Sequence, residues 1–135
     1  MKRMTALLMS SVLLLSLTAC KNQEEPASGK LELSAGVFHK GDTITITVHD
    51  FRGNYEVAPW VGILDTDASI STEVEADDHD IWYATLTEEE HSVFTVTIGE
   101  DVDLEPGRYQ VVLTDTDDEA LNGAVLDSMA FEVQE

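Results

Sequence analysis

Carboxylates are the most abundant groups in this sequence that could do chemistry, and several lie together in short loops. The chain has 27 Asp and Glu residues against 7 Lys and Arg residues, and its formal net charge is −20. Calcium binds clustered carboxylate oxygens supplied by a tight turn, but none of these loops follows the twelve-residue EF-hand pattern. The candidate calcium ligands are Asp65, Asp67, Asp101 and Asp103, and the alternative is a solvated acidic surface.

Motifs of the common enzymatic sites are absent from the sequence. It contains no Gly-x-Ser-x-Gly nucleophile elbow and no glycine-rich phosphate-binding loop. The four histidines, His39, His49, His79 and His91, lack His-x-His or His-x-x-x-His spacing. The best candidate for a transition-metal site is DDHD at 77–80, although no distant residue is known to converge on it. We therefore expect a protein that is not an enzyme.

Cys20 is the only cysteine, and it follows an apolar run directly. Residues 1–3 are a short basic region and residues 4–19 are apolar, which is the form of a secretory signal peptide. The run is shorter than the roughly 20 apolar residues that a membrane-spanning helix needs. Because a lone cysteine cannot form an intramolecular disulfide, and the nearest histidine is His39, neither a disulfide nor a metal site explains it.

The sequence Leu17-Thr18-Ala19-Cys20 resembles the lipobox of bacterial lipoproteins. The resemblance implies that the Cys20 sulfur receives a diacylglyceryl group and that lipoprotein signal peptidase cuts between Ala19 and Cys20. Two or three acyl chains, palmitate among them, anchor a protein stably, whereas one chain holds it only marginally. The predicted location is the exported side of the cytoplasmic membrane or the outer membrane. No cofactor beyond this lipid is expected, with calcium left open.

The predicted domain organisation has three parts. Residues 1–19 are the signal peptide, 20–29 are the lipidated cysteine and a flexible linker, and 30–135 are one folded domain. The linker sequence KNQEEPASG has no apolar periodicity and is rich in polar, Pro, Ser and Gly residues. Its nine residues span roughly 15–18 Å as a coil, which is enough to lift a domain off the lipid headgroups.

From residue 30 onward, apolar residues recur at every second position, which predicts β-strands. In the clearest strand, TITITVHD, the side chains of Ile44, Ile46 and Val48 share one face. Turn signals at intervals of about 8–12 residues predict an all-β domain, a seven-stranded antiparallel β-sandwich with Greek-key connections. The predicted strands cover 31–34, 43–50, 60–65, 81–86, 92–99, 107–115 and 128–134.

Three segments resemble bacterial immunoglobulin-like domains. FHKGDTITITV resembles the turn that leads into the second strand, WVGIL the third strand with its core tryptophan, and LEPGRYQVVL the start of the sixth strand. The resemblance implies that Tyr109 is a tyrosine corner whose hydroxyl bonds back to nearby backbone. Immunoglobulin-like folds host many functions, so the resemblance predicts fold and not activity.

In such a sandwich, the loop after the third strand and the loop before the sixth lie at the same end. This arrangement would bring Asp65 and Asp67 near Asp101 and Asp103. The opposite end would collect a second acidic group, made of Asp50, Glu56, Asp115, Asp117 and Asp118.

The strands WVGIL and IWYATL are apolar on both faces, although one face of a sheet in a sandwich is usually solvated. We predict that the outer face carries Val61, Ile63 and one of Trp82 or Tyr83 as a contact patch. The alternative is that the segment 66–80 folds over this face and covers it.

The charge and the anchor limit the partners. Loss of Lys2 and Arg3 with the signal peptide changes the formal charge from −20 to −22, and such a surface repels nucleic acid. The predicted partners are the membrane, through the lipid, and a protein or glycan of the cell envelope. The predicted function is therefore a lipid-anchored binding or accessory module; the alternative is a calcium- or metal-binding envelope factor or a small envelope enzyme.

Overall fold

The computed structural model describes residues 26–88 and 93–135. These residues form eight β-strands in two sheets, one short helix and two 3₁₀ turns, so the domain is all-β as predicted. The strands are β1 (Ser28–Leu33), β2 (Val37–His39), β3 (Thr43–Arg52), β4 (Trp60–Leu64), β5 (Asp80–Thr85), β6 (Val93–Thr97), β7 (Gly107–Thr114) and β8 (Val125–Gln134). Helix α1 (Glu73–Asp77) lies between β4 and β5, and the 3₁₀ turns are Tyr55–Val57 and Glu119–Leu121. Within these residues, no helix has the length and apolar character needed to cross a membrane.

Two sheets of unequal size make up the domain. The small sheet has the strand order β1-β3-β6, and the large sheet has the order β2-β8-β7-β4-β5. All neighbours are antiparallel except β2 and β8, which are parallel. The sheets approach each other where β1 lies beside β8, and there the amide of Leu31 donates to Asp127 Oδ2 at 2.7 Å. Among the described residues, the edge strands β1, β2, β5 and β6 each pair on one side only.

The strand count and the linker boundary differ from the sequence-based prediction. The additional strand is β2, whose three residues are too few to show a period of two and which pairs in parallel with β8. The predicted linker extended to Gly29, but β1 already begins at Ser28, which pairs with Arg52. The predictions for Ala19 and Cys20 lie outside the described residues, as does most of the linker.

The main core lies between the two sheets and is formed by alternate side chains from both. Ile44, Ile46 and Val48 of β3 are buried on one face, as predicted. They meet buried residues of the large sheet, namely Val61, Ile63, Val111, Leu113, Phe131 and Val133. Full burial of such an aliphatic side chain contributes about 1.5–3 kcal/mol, so this layer is the main source of stability.

Tyr109 fixes the loop that precedes β7. Its hydroxyl donates to the carbonyl oxygen of Glu105 at 2.6 Å, and its ring stacks on Phe131 with centroids 5.6 Å apart. Burial, followed by the nearby Glu105 carboxylate, raises the pKa of Tyr109, so the hydroxyl stays protonated and can donate. The predicted hydrogen bond from this tyrosine to nearby backbone is therefore confirmed.

Gly62 occupies the one position of β4 at which the sheet leaves no room for a side chain. A Cβ atom there would lie 2.5 Å from Trp60 Cζ3 and 2.9 Å from the Trp82 carbonyl oxygen on β5. We expect Gly62→Ala to lower the free energy of unfolding by roughly 1–3 kcal/mol, because a backbone oxygen cannot move aside without disturbing the β4–β5 pairing.

Urea denaturation of this variant checks the expectation, with Gly36→Ala as the matched control. A Cβ atom at Gly36 meets nothing within 4 Å, so the control should change the free energy of unfolding by less than about 0.5 kcal/mol. Equal stability of the two variants would contradict the close β4–β5 contact at Gly62.

Candidate functional site

A segment between β4 and β5, residues 65–79, folds over the outer face of the large sheet and is called the cover segment below. Beneath it lies a second apolar group, the outer cluster, defined by the buried residues Trp60, Leu64, Ala76 and Val112. The side-chain amide of Gln110 on β7 donates to the backbone carbonyls of Thr66 and Ala68 at 2.9 and 2.6 Å. The structure thus follows the alternative that the outer face is covered.

The predicted contact patch is wrong for Val61 and Ile63. Both are fully buried and belong to the main core, whereas Trp60 and Leu64 point outward beneath the cover segment. A period of two shows which residues share a face, but a strand that is apolar on both faces does not show which face is inward. Trp82 packs partly buried against the main core.

Tyr83 is the member of the predicted patch that the structure leaves exposed. Its side chain is 58% exposed, and its neighbour on the same face of β5, Ile81, is 40% exposed. The Tyr83 ring makes an edge-to-face contact with Trp60, with centroids 6.2 Å apart. Because β5 pairs only with β4 among the described residues, an apolar surface and an unpaired strand edge lie together. We call this surface the β5 edge.

Helix α1 holds the cover segment in place, and it was not predicted from the sequence. The signal was present, because Thr72 and Glu75 have Ser/Thr-x-x-Glu spacing, and the Glu75 amide donates to Thr72 Oγ1 at 3.2 Å. The helix is tied to the chain before β8, since the Glu73 amide donates to the Gly123 carbonyl at 3.0 Å and Thr72 bridges to Ala124.

Glu73 is the most unusual polar residue that the structure describes. It is 0% exposed, and neither carboxyl oxygen has a hydrogen-bond partner. Burial raises the pKa of Glu73 most strongly, and the Asp77, Asp117 and Glu119 carboxylates raise it further. The nearby Trp60 indole N–H lowers the pKa of Glu73 in part. The indole nitrogen and the carboxyl oxygens nevertheless form no hydrogen bond of good geometry. A protonated, uncharged Glu73 is the form that this site accommodates.

Asp80 at the start of β5 shares this environment. Burial raises the pKa of Asp80, and the nearby Asp77 and Asp117 carboxylates raise it further. Asp117 was predicted to belong to an acidic group at one end of the sandwich, but its influence on Glu73 and Asp80 was not foreseen.

Two of the predicted calcium ligands contact basic side chains. Asp65 contacts His79 Nδ1 at 3.0 Å, so the histidine of the DDHD segment faces β4 and not a distant ligand. Asp67 accepts from Arg108 Nε at 2.8 Å. Both pairs are exposed, so solvent screens them and they contribute little to stability.

The other two candidate ligands lie before β7. Asp101 caps its own turn, because Oδ2 accepts from the Thr97 amide at 2.7 Å. Burial raises the pKa of Tyr109 most strongly, and the carboxylates of Asp65 and Asp103 raise it further, as expected if their loops share one end of the domain. Over residues 26–88 and 93–135, however, no three His, Cys, Asp or Glu side chains are placed to hold a metal ion together. Calcium binding by these four aspartates stays a prediction.

The histidines in the described ranges all lie beside carboxylates at the surface. His49 contacts Glu32 at 2.6 Å and is exposed, as predicted from its outward phase on β3. His39 lies 3.6 Å from Asp42, while His91 is outside the described residues. No catalytic arrangement is apparent at these pairs, which join neighbouring strands or turns.

A pocket of about 670 Å³ opens at the end of the domain where the predicted linker joins β1. Its lining includes Pro26 and Ala27, the guanidinium-bearing Arg52 and the carboxyl-bearing Asp115. The side chains present could pair with a ligand of either charge, so the pocket indicates no particular ligand class.

Comparison with known proteins adds no family assignment. Neither the protein-family models nor the curated proteins that were compared contain a match to this chain.

Proposed function

We propose that this chain is a lipid-anchored protein of the bacterial cell envelope whose immunoglobulin-like domain binds an envelope protein without catalysing a reaction. The observation that carries the binding role is the β5 edge. There, the exposed side chains of Ile81 and Tyr83 accompany a strand that pairs on one side only among the described residues. A glycan could stack on Tyr83, but an unpaired strand edge favours a polypeptide.

The immunoglobulin-like part of the proposal is supported by the arrangement of the strands. A sheet of three strands faces a sheet of five, and consecutive strands repeatedly change from one sheet to the other. The Tyr109 hydroxyl bonds to the Glu105 carbonyl, as the tyrosine corner requires. The buried Trp60 on β4 differs from the family pattern, because it lies in the outer cluster and not between the sheets.

The anchor is proposed from the lipobox alone. If Cys20 carries the lipid, seven residues separate it from Ser28, where β1 begins. As a coil these residues span roughly 13–16 Å. The domain would therefore stay close to the membrane and be presented to other envelope proteins.

The β5 edge could select a partner through its unpaired backbone groups and the negative charge around it. Unpaired N–H and C=O groups of an edge strand can pair with an extended segment of another chain. Acidic residues lie just before and after the strand, at Asp77, Asp78 and Glu88. This charge favours a partner segment with Lys or Arg near its ends and apolar side chains between them.

Photo-crosslinking in the native host tests the binding role. The full chain would carry a benzoylphenylalanine at Tyr83, and the matched control would carry it at Leu121, which is 51% exposed but lies in a 3₁₀ turn. We expect an adduct of one defined mass from position 83 and none of that mass from position 121.

A further substitution relates the adduct to the strand edge. Ile81→Lys, which adds a positive charge where a cationic segment is expected, should reduce the yield of the Tyr83 adduct several-fold. No adduct from position 83, or the same adduct from both positions, would refute recognition through the β5 edge.

A further inference from the structure

Burial of the Glu73 carboxyl group is energetically costly, and the proposed binding role gives this residue no function. Its side chain is 0% exposed and neither oxygen accepts a hydrogen bond. An ionised carboxylate without a partner in such a place is strongly unfavourable, so the group must either keep its proton or leave the site.

The titratable groups around Glu73 increase this cost instead of relieving it. Asp77 acts on it from α1, and Asp117 and Glu119 act on it from the connection between β7 and β8. Asp115 lies on the same connection, and Gly123 is packed between its carboxyl group and the Glu73 Cβ. The large sheet contributes the uncharged indole of Trp60. The charged groups that act on Glu73 from these elements are thus all acidic.

Backbone hydrogen bonds hold the cover segment at its base and also beside Glu73, where the Glu73 amide donates to the Gly123 carbonyl and the Val125 amide donates to the Ser71 carbonyl. At the base, the Asp65 amide donates to the His79 carbonyl at 3.0 Å, and the two side chains also pair. In the centre, α1 has only five residues, of which Glu73 and Ala76 are buried. Glu73 is the first residue of that helix, so outward movement of its side chain must displace the start of α1.

We propose that Glu73 is a proton-controlled latch, which holds the cover segment closed over the outer cluster when uncharged and releases it when ionised. Release would uncover Trp60, Leu64 and Val112. It would also affect the β5 edge, because Trp60 contacts the Tyr83 ring. The latch adds control by pH to the domain, and it does not depend on the proposed function.

The direction of the pH dependence follows from the burial of Glu73. Burial raises its pKa above the ordinary value of 4.5. The stability that the closed latch provides is fully present below that ordinary value, where the carboxyl group is protonated in both the folded and the unfolded chain. It is lost as the pH rises through the raised pKa of the folded state. The cover segment is therefore closed in acid and loosened in base.

Hydrogen exchange of the full chain in detergent micelles tests the latch at pH 5 and pH 8. The amides of Ala76 and Asp78, which donate to carbonyls of Thr72 and Val74, report on α1. After correction for intrinsic exchange, we expect their protection to fall about tenfold between these pH values, which corresponds to about 1.4 kcal/mol of easier local opening. Amides in the centre of β3 should change much less.

Two variants with the same loss of one carboxylate separate the latch from general charge repulsion. Glu73→Gln should abolish most of the pH-dependent loss of protection in α1. Glu56→Gln, at an exposed position, should keep the loss of the unmodified chain. Equal protection at the two pH values, or the same loss in both variants, would overturn the proposal.

Fluorescence provides a readout with Glu73 intact, in case Glu73→Gln does not fold. In a Trp82→Phe background, Trp60 is the remaining tryptophan. Its emission should move to longer wavelength as the pH rises from 5 to 8, because the indole becomes exposed to water. Emission that does not change while the domain stays folded would also overturn the latch.

Discussion

Val61→Glu is expected to destabilise the domain severely. Val61 is fully buried in the main core and pairs with Ala84 on one side and Leu113 on the other. No described basic side chain belongs to this core, so the new carboxylate would be buried without a partner. The loss should exceed about 4 kcal/mol, which is a large part of the 5–15 kcal/mol that typically stabilises a domain.

Circular dichroism and urea denaturation would measure this loss, with Thr85→Glu as the control. Thr85 is exposed on the adjacent strand and receives the same charge, so the control should change stability by less than about 0.5 kcal/mol. A Val61→Glu variant with an unchanged denaturation midpoint would show that Val61 faces outward, as the sequence analysis predicted.

Cys20→Ala is expected to abolish lipid attachment completely. The proposed anchor depends on one sulfur atom, and the chain has no second cysteine that could replace it. Cells grown with an alkyne-tagged palmitate should label the unmodified protein and leave the variant unlabelled. Labelling reports the modification directly, whereas membrane fractionation would also retain a chain whose signal peptide had not been removed.

Ser11→Ala is the control for this experiment, because it changes a small residue in the same apolar run and leaves the Leu17-Thr18-Ala19-Cys20 sequence intact. It should be labelled like the unmodified protein. Persistent labelling of Cys20→Ala would place the lipid on another residue and refute the lipobox.

The strands could be predicted well because their pattern is local. Alternation in β3 correctly places Ile44, Ile46 and Val48 in the core. The Tyr109 hydrogen bond was foreseen from the resemblance of LEPGRYQVVL to immunoglobulin-like domains, and it joins residues only four apart in the sequence. Strand β2 was missed, because it has three residues and its pairing with β8 is a long-range choice.

The orientation of β4 could not be predicted for a related reason. Both of its faces are buried, one by the small sheet and the other by the cover segment, so hydrophobicity alone does not distinguish them. The inward positions of Val61 and Ile63 follow from tertiary packing and not from the strand itself.

Glu73 was also hidden from sequence reasoning. It stands among acidic neighbours in TEVEADD, a pattern typical of a solvated surface turn. Its burial depends on Gly123, which is distant in the sequence and has no side chain to keep the segments apart, and on the Trp60 indole. The capping box of Thr72 and Glu75 could have predicted α1, but not which of its glutamates is buried.

The intact mass of the protein purified from the membrane of its own host would show whether it is a lipid-anchored envelope protein. Lipid anchoring predicts a chain that begins at Cys20, lacks residues 1–19 and carries the added mass of a diacylglyceryl group, with or without a third acyl chain. A mature chain that retains Met1, or that begins at Cys20 without added lipid mass, would contradict it.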